Sequence, residues 1–248
     1  MTAITNYFTN IPLIQYRFGD DEDPVLFNNI TQYVDLIDQL KENTAFYNKY
    51  TIQSGERPDT LSYRLYGTVD YYWTFFLLND NIRREGWPIS TTEILDMKKS
   101  KYPYRTLVTT TEIADIFTPG DVFQGTTSGT TGTVIKRNLD LGQIVYDSGG
   151  NNLNSGETIT YLDPEFGQVT ASVLADYLQY ESVHHYEDAD GITQDIDPHT
   201  YTIPVGYVPV TWGARLEAAN DSLREISVFN PDVIGSIVSE FFEFHRGQ

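Results

Sequence analysis

The chain has no cysteine, which excludes a disulfide framework, a thiol nucleophile and cysteine metal sites. It has no apolar run approaching the roughly 20 residues that span a bilayer. Met1 to Asn10 lacks a basic stretch followed by an apolar one, so no signal peptide is expected. Positive charge is scarce: 16 Lys and Arg stand against 35 Asp and Glu, for a net charge of −19. That balance argues against a surface that holds phosphate backbones by counterion release. The scarcity is also uneven. From Asn138 to Ala214 there is no Lys or Arg, but there are 12 Asp or Glu. Such a run is either a solvated acidic face or a surface that steers a basic neighbouring subunit.

Catalytic constellations are missing as well. There is no G-x-S-x-G and no HExxH. Ser128-Gly129-Thr130-Thr131-Gly132-Thr133 lacks the Gly-Lys-Ser/Thr ending of a phosphate loop and leads into a strand-like run, so a β-turn is expected. His184-His185-Tyr186-Glu187-Asp188-Ala189-Asp190 is the only cluster of metal-ligand types. Adjacent histidines diverge on a regular backbone, and Asp188-x-Asp190-Gly191 lacks the rest of a calcium loop. Carboxylates are so many that none is singled out as an acid–base pair. The expectation is therefore no enzyme, no metal and no cofactor.

What the chain does have is core material. Of 248 residues, 40% are hydrophobic and 14% aromatic, which is enough for a packed α+β protein rather than a disordered one. Tyr (18) and Phe (13) suit both cores and protein interfaces.

Four segments are expected. Residues 1–49 read as an N-terminal arm: an extended Ile11-to-Phe18, a polar Gly19-to-Pro24 turn, then a helix capped by Asn28 or Asn29 with Ile30, Tyr33, Val34, Ile37 and Leu40 at helical spacing. Residues 50–105 read as a small module. Tyr50 and Ile52 alternate onto one strand face, and Ser54-Gly55-Glu56-Arg57-Pro58 is turn chemistry. Asp59 is the expected cap of a helix carrying Leu61 and Leu65, and Gly67 its left-handed end. Asp70 is the expected cap of a second helix carrying Trp73 and Leu77. A third helix follows the capping box Ser90-Thr91-Thr92-Glu93 and runs to about Ser100.

Residues 106–170 alternate glycine turns with β-prone runs such as Thr133-Val134-Ile135 and Gln143-Ile144-Val145-Tyr146, which suggests a small glycine-rich β-barrel or sandwich. Within it, Phe117-Thr118-Pro119-Gly120-Asp121-Val122 is echoed by Leu153-Asn154-Ser155-Gly156-Glu157-Thr158-Ile159, as two equivalent barrel edges would be. Residues 171–248 read as irregular from Val183 to Pro209. A hint of helix follows at Leu216, Ala219 and Leu223, and then a strand at Arg224 to Phe229. A final helix opens at Asn230-Pro231 and carries Val233, Ile234, Ile237, Val238, Phe241 and Phe242. A stripe that wide must dock on this chain or on a partner. Tyr71, Tyr72 and Trp87 are the aromatic candidates for partner contact.

The order strand, turn, helix, helix, asparagine-rich loop from Tyr50 to Trp87 resembles the LysM module, a βααβ unit best known for binding glycans. Together with Tyr7-Phe8-Thr9-Asn10-Ile11-Pro12, Lys101-Tyr102, the glycine-rich Gly125-to-Gly132, Val183 to Asp188 and Asn220 to Val228, it resembles the LysM-like baseplate wedge family of contractile-tailed, T-even-type bacteriophages. The resemblance implies a LysM-like module with a β insert and peripheral N- and C-terminal helices. It implies a structural subunit of the tail baseplate in the virion, made in the host cytoplasm. Such a subunit clamps adjacent wedges around the tail tube or hub by contacts with other wedge subunits and the sheath initiator, with no nucleic acid or membrane as partner. The module residues it carries over are Tyr50, Gly55, Pro58, Leu61, Tyr66, Gly67, Tyr71, Trp73, Leu77, Asn79, Asn81, Trp87 and Pro88. The loop Asn81-Ile82-Arg83-Arg84-Glu85-Gly86 departs from the pattern by lacking an Asp-Pro before the Trp. The alternative is a peptidoglycan-binding LysM module of a tail-associated cell-wall-degrading assembly, with Asn79 and Asn81 as loop contacts.

Overall fold

A computed structural model of the chain describes residues 13–17, 23–28 and 46–246. In chain order the strands are β1 (Leu13–Tyr16), β2 (Val25–Asn28), β3 (Tyr47–Thr51), β4 (Arg105–Val108), β5 (Val122–Gly125), β6 (Thr131–Asn138) and β7 (Gln143–Asp147). They continue with β8 (Thr158–Asp163), β9 (Gly167–Ser172), β10 (Ala175–Leu178), β11 (Val183–Glu187), β12 (Thr193–Gln194), β13 (Val208–Thr211) and β14 (Glu225–Phe229). The α-helices are α1 (Pro58–Tyr66), α2 (Trp73–Leu78), α3 (Asp80–Glu85), α4 (Thr91–Lys101), α5 (Trp212–Asp221) and α6 (Ile234–Arg246). The protein is thus mixed α and β. The expected helix from Asn29 to Leu40 and the Tyr7-to-Pro12 segment lie outside the described residues, and Asn28 ends β2.

The chain forms two compact units: Met1–Thr91 with Asn220–Gln248, and Thr92–Ala219. These boundaries differ from the four segments read from the sequence. Strand β14 pairs antiparallel with β3, Glu225 opposite Thr51 and Phe229 opposite Tyr47, so the C-terminal end belongs with the first unit. Strands β4 and β10 share one sheet with the glycine-rich segment, so the second unit extends on both sides of residues 106–170.

In the first unit, local chemistry sets the helix ends. Arg57, in extended conformation, is the N-cap of α1, and Pro58 takes the first helical position, where a missing N–H costs nothing. Asp59, expected as the cap, instead lies in the first turn and pairs with Arg57 at 2.9 Å. Gly67 closes α1 with φ 72° and donates its N–H to the Tyr63 carbonyl. Asp70 caps no helix: its carboxylate takes the Thr68 hydroxyl at 3.0 Å. Tyr72 stands at the head of α2. Pro231 sits in a turn, and α6 starts only at Ile234, whose N–H reaches the Asn230 carbonyl.

The second unit holds a seven-stranded antiparallel sheet in the order β10-β4-β7-β6-β5-β8-β9. Its two edge strands, β9 and β10, are joined by Val173 and Leu174 alone. Leu107, Phe117, Phe123, Ile144, Tyr146 and Ile159 belong to the core of this unit. A Cβ on Gly132 would lie 2.5 Å from the Phe123 ring and 2.6 Å from the Tyr146 ring, so glycine is what lets those two rings meet.

The echoed motif builds the same turn twice. Asp121 donates its N–H to the Thr118 carbonyl and accepts the Thr118 N–H on its carboxylate, and Glu157 does the same with Asn154. These turns lead into β5 and β8, which pair with each other in the sheet interior and are not its edges. The segment from Val183 to Pro209, expected to be irregular, contributes a three-stranded sheet β12-β11-β13 around Leu141, Tyr186 and Ile196.

Candidate interaction surfaces

The residues singled out in the 50–88 region come together in two adjoining cores of the first unit. Ile52, Leu61, Phe75, Ile82, Ile226 and Val228 form one, with Tyr50, Tyr66 and Trp87 against it. Trp73, Leu77, Leu78 and Phe229 form the other with Ile234, Ile237, Val238 and Phe241. The apolar stripe of α6 is therefore satisfied within its own unit: Phe241 and Phe242 lie 5.1 and 5.7 Å from the Trp73 ring, and Val233 packs beside them. Each aliphatic or aromatic side chain buried this way contributes roughly 1.5–3 kcal/mol.

Polar clips fix the arrangement. Asn79 is 8% exposed. Its amide nitrogen donates to the carbonyls of Phe75 and Ser227 at 2.8 Å each, and its oxygen accepts the Ser227 N–H at 2.7 Å. The side chain thus joins α2 to β14 and has no exposed face for a glycan. Asn81 reaches the Ser222 carbonyl at 3.5 Å, a weak bond. Glu56 ties the turn after β3: it accepts the Tyr50 hydroxyl at 3.0 Å and the Gln53 N–H at 3.1 Å, and it pairs with Arg64. Gly55, with φ 77°, lets that turn form. Trp87 donates its indole N–H to the Glu56 carbonyl at 2.6 Å and packs on Phe75 and Phe76, with Pro88 buried next to it. Burial raises the Tyr66 phenol above its usual pKa, only partly offset by its bond to the Phe229 carbonyl.

Of the aromatic candidates for partner contact, Tyr71 is half-buried edge-on to Tyr66, and Trp87 is engaged as described. Tyr72 stays exposed, together with Tyr63 and Val69. A further surface lies in the segment read as an N-terminal arm with an extended Ile11-to-Phe18. The hairpin β1–β2, Leu13 opposite Asn28 and Tyr16 opposite Val25, exposes Leu13, Tyr16, Val25 and Leu26 by 46–59%. Its trace in the sequence was the short Val25-Leu26-Phe27 run beside a polar turn.

In the second unit, Asp176 is the buried hub. It takes Arg105 at 2.8 Å, the Tyr146 hydroxyl at 2.9 Å and the Leu153 N–H at 2.9 Å. Burial first, and then the Asp176 charge, raise the Tyr146 phenol. Glu157 accepts the N–H groups of Thr127, Ser128 and Asn154. Burial pushes its carboxyl up, but those bonds outweigh it and the net shift is downward. Both residues are structural. His184 and His185 lie side by side on β11, and among the described residues no group of three or more His, Asp or Glu is placed to hold a metal. Among them too, no helix is long and apolar enough to cross a membrane.

Residues 19–114 match the sequence model of a family described as Base plate wedge protein 53. The match covers β2 to β4 and all of α1–α4, but not β14 or α6, which complete the first unit. It supports a structural protein of the bacteriophage baseplate wedge, located in the virion. No curated protein matches the chain.

Proposed function

We propose that this chain is a non-enzymatic wedge subunit that clamps adjacent wedges around the tail tube or hub through protein–protein contact. The family match over residues 19–114 carries this reading. The order β3, α1, α2, β14, with the two strands antiparallel, supports a LysM-like βααβ module that is interrupted between α2 and β14 by the second unit. The two-residue link between β9 and β10 supports reading that unit as a small β-barrel. The contact surface of the first unit comprises the β1–β2 hairpin and the exposed Tyr63, Val69 and Tyr72; the carried-over module residues and α6 build the scaffold behind it. The partners are other wedge subunits, the sheath initiator and proteins of the tube or hub. A glycan reading loses its chief contact, because Asn79 is spent on the β14 backbone.

Omission tests the proposal. Infection by a phage unable to make this chain should accumulate incomplete wedges and no closed baseplates, and supplying the chain should restore them. Normal contractile tails without it would overturn the reading.

A further inference from the structure

Lys136 lies just before the Lys- and Arg-free run of the sequence and Arg215 directly after it, and the fold brings those two together. Both lie on Trp212: the Lys136 ammonium is 5.0 Å and the Arg215 guanidinium 5.9 Å from the ring centroid. Trp212 packs on Tyr102 at 5.3 Å, and Lys101 sits 5.9 Å from the Tyr102 ring. His184 stands edge-on to Trp212 at 4.3 Å. Three exposed cations thus ring a half-buried aromatic pair in a protein of net charge −19.

Among the described residues, Lys101, Lys136 and Arg215 have no carboxylate within ion-pair distance, whereas Lys98 of α4 takes Glu217 of α5. Asp140 and Asp195 line a cavity of about 420 Å³ with His184, His185 and Arg215, yet neither pairs with Arg215. The histidines do not consume the cationic donors either. One Arg215 N–H donates to His184 Nε2 at 2.7 Å. His184 must then carry its proton on Nδ1 and donate it to His185 Nδ1 at 2.7 Å, which leaves the His185 Nε2 proton facing Glu187 at 3.2 Å. The remaining Arg215 donors and the whole Lys136 and Lys101 ammonium groups are available. Burial first, then Arg215, His185 and Lys136, hold the His184 pKa below its usual value.

We infer that Lys101, Lys136 and Arg215, set around Tyr102 and Trp212, form a docking surface for an acidic polypeptide segment. The aromatic faces hold the three cations in place without a partner. An incoming carboxylate gains charge-assisted bonds, in bidentate form with the guanidinium. The chain's overall negative charge does not forbid this, because screening at physiological salt confines repulsion to roughly 8 Å. The inference stands on side chains of the second unit alone and does not depend on the baseplate reading.

The test titrates full-length protein with hexaglutamate and follows tryptophan fluorescence at low and high salt. Saturable binding is expected, weakened by salt and reduced about tenfold or more in Lys136→Ala/Arg215→Ala. Arg215 also holds His184, so Lys136→Ala and Lys101→Ala, which remove only ring-stacked ammonium groups, should each weaken binding by themselves. Lys99→Ala, two residues before Lys101 on the same helix, should not. Absence of saturable binding overturns the inference, as does binding indifferent to Lys101→Ala and Lys136→Ala. A single-stranded oligonucleotide that binds the same residues more tightly than hexaglutamate also overturns it, since the surface would then serve phosphate backbones.

Discussion

Asn79 is the residue on which the first unit turns. Its amide satisfies Phe75 at the end of α2 and both backbone groups of Ser227 in β14, so one side chain locks a helix to a strand from the far end of the chain. Asn79→Ala leaves a buried N–H and two carbonyls short of partners. The expected loss is about 1–3 kcal/mol, read as a lower denaturant midpoint with an unchanged slope. An unchanged midpoint would mean that the clip is idle. This role was not legible in the sequence, where Asn79 stood in a polar loop, carried over as a module residue and, in the alternative reading, as a glycan contact. The structural use depends on β14, which is distant in sequence. Gly67 was legible because its signal is local, a positive φ at a helix end, whereas Pro58 read as part of the turn and its role at the helix start emerged only with Arg57 as the cap. His184 and His185 read as a failed metal motif, since nothing in the sequence brings Arg215 to them.

At the scale of elements, α6 shows what periodicity can and cannot tell. The stripe from Val233 to Phe242 reveals that the helix must dock, and only the fold reveals that it docks on Trp73, Leu77, Leu78 and Phe229. The helix is thus part of the module's core. Removing residues 230–248 strips four buried side chains, of the order of 6–12 kcal/mol as an upper bound, comparable to the whole stability of a domain. Limited proteolysis of that truncation should cut within residues 46–91 while the second unit resists. A protease-resistant first unit would contradict this packing. Strands β11 and β13 were not legible for a different reason. Val183-His184-His185-Tyr186-Glu187 shows little alternation, and its partner carries Pro209, so pairing rather than pattern makes them strands.

At the scale of the whole molecule, the first unit is closed by a strand and a helix that follow the second unit in the chain. The pairing of β3 with β14 links the two ends of the described core across that second unit, and its non-local character hides it from a linear reading. Enough local signal survived to identify α1, α2 and α4 and the strands of the glycine-rich segment, while the division into two units at Thr91 and Ala219 comes from the fold. On the proposed function, the folded chain holds neighbours through the β1–β2 hairpin and the exposed aromatics of the first unit. Lysine- and acid-directed cross-linking of isolated baseplates, read by mass spectrometry, tests that most directly. The expected result is cross-links from residues 13–28 and the Tyr63-to-Tyr72 surface to other wedge or hub subunits. Tail fractions that lack the chain, or a chain whose cross-links are all internal, would contradict it.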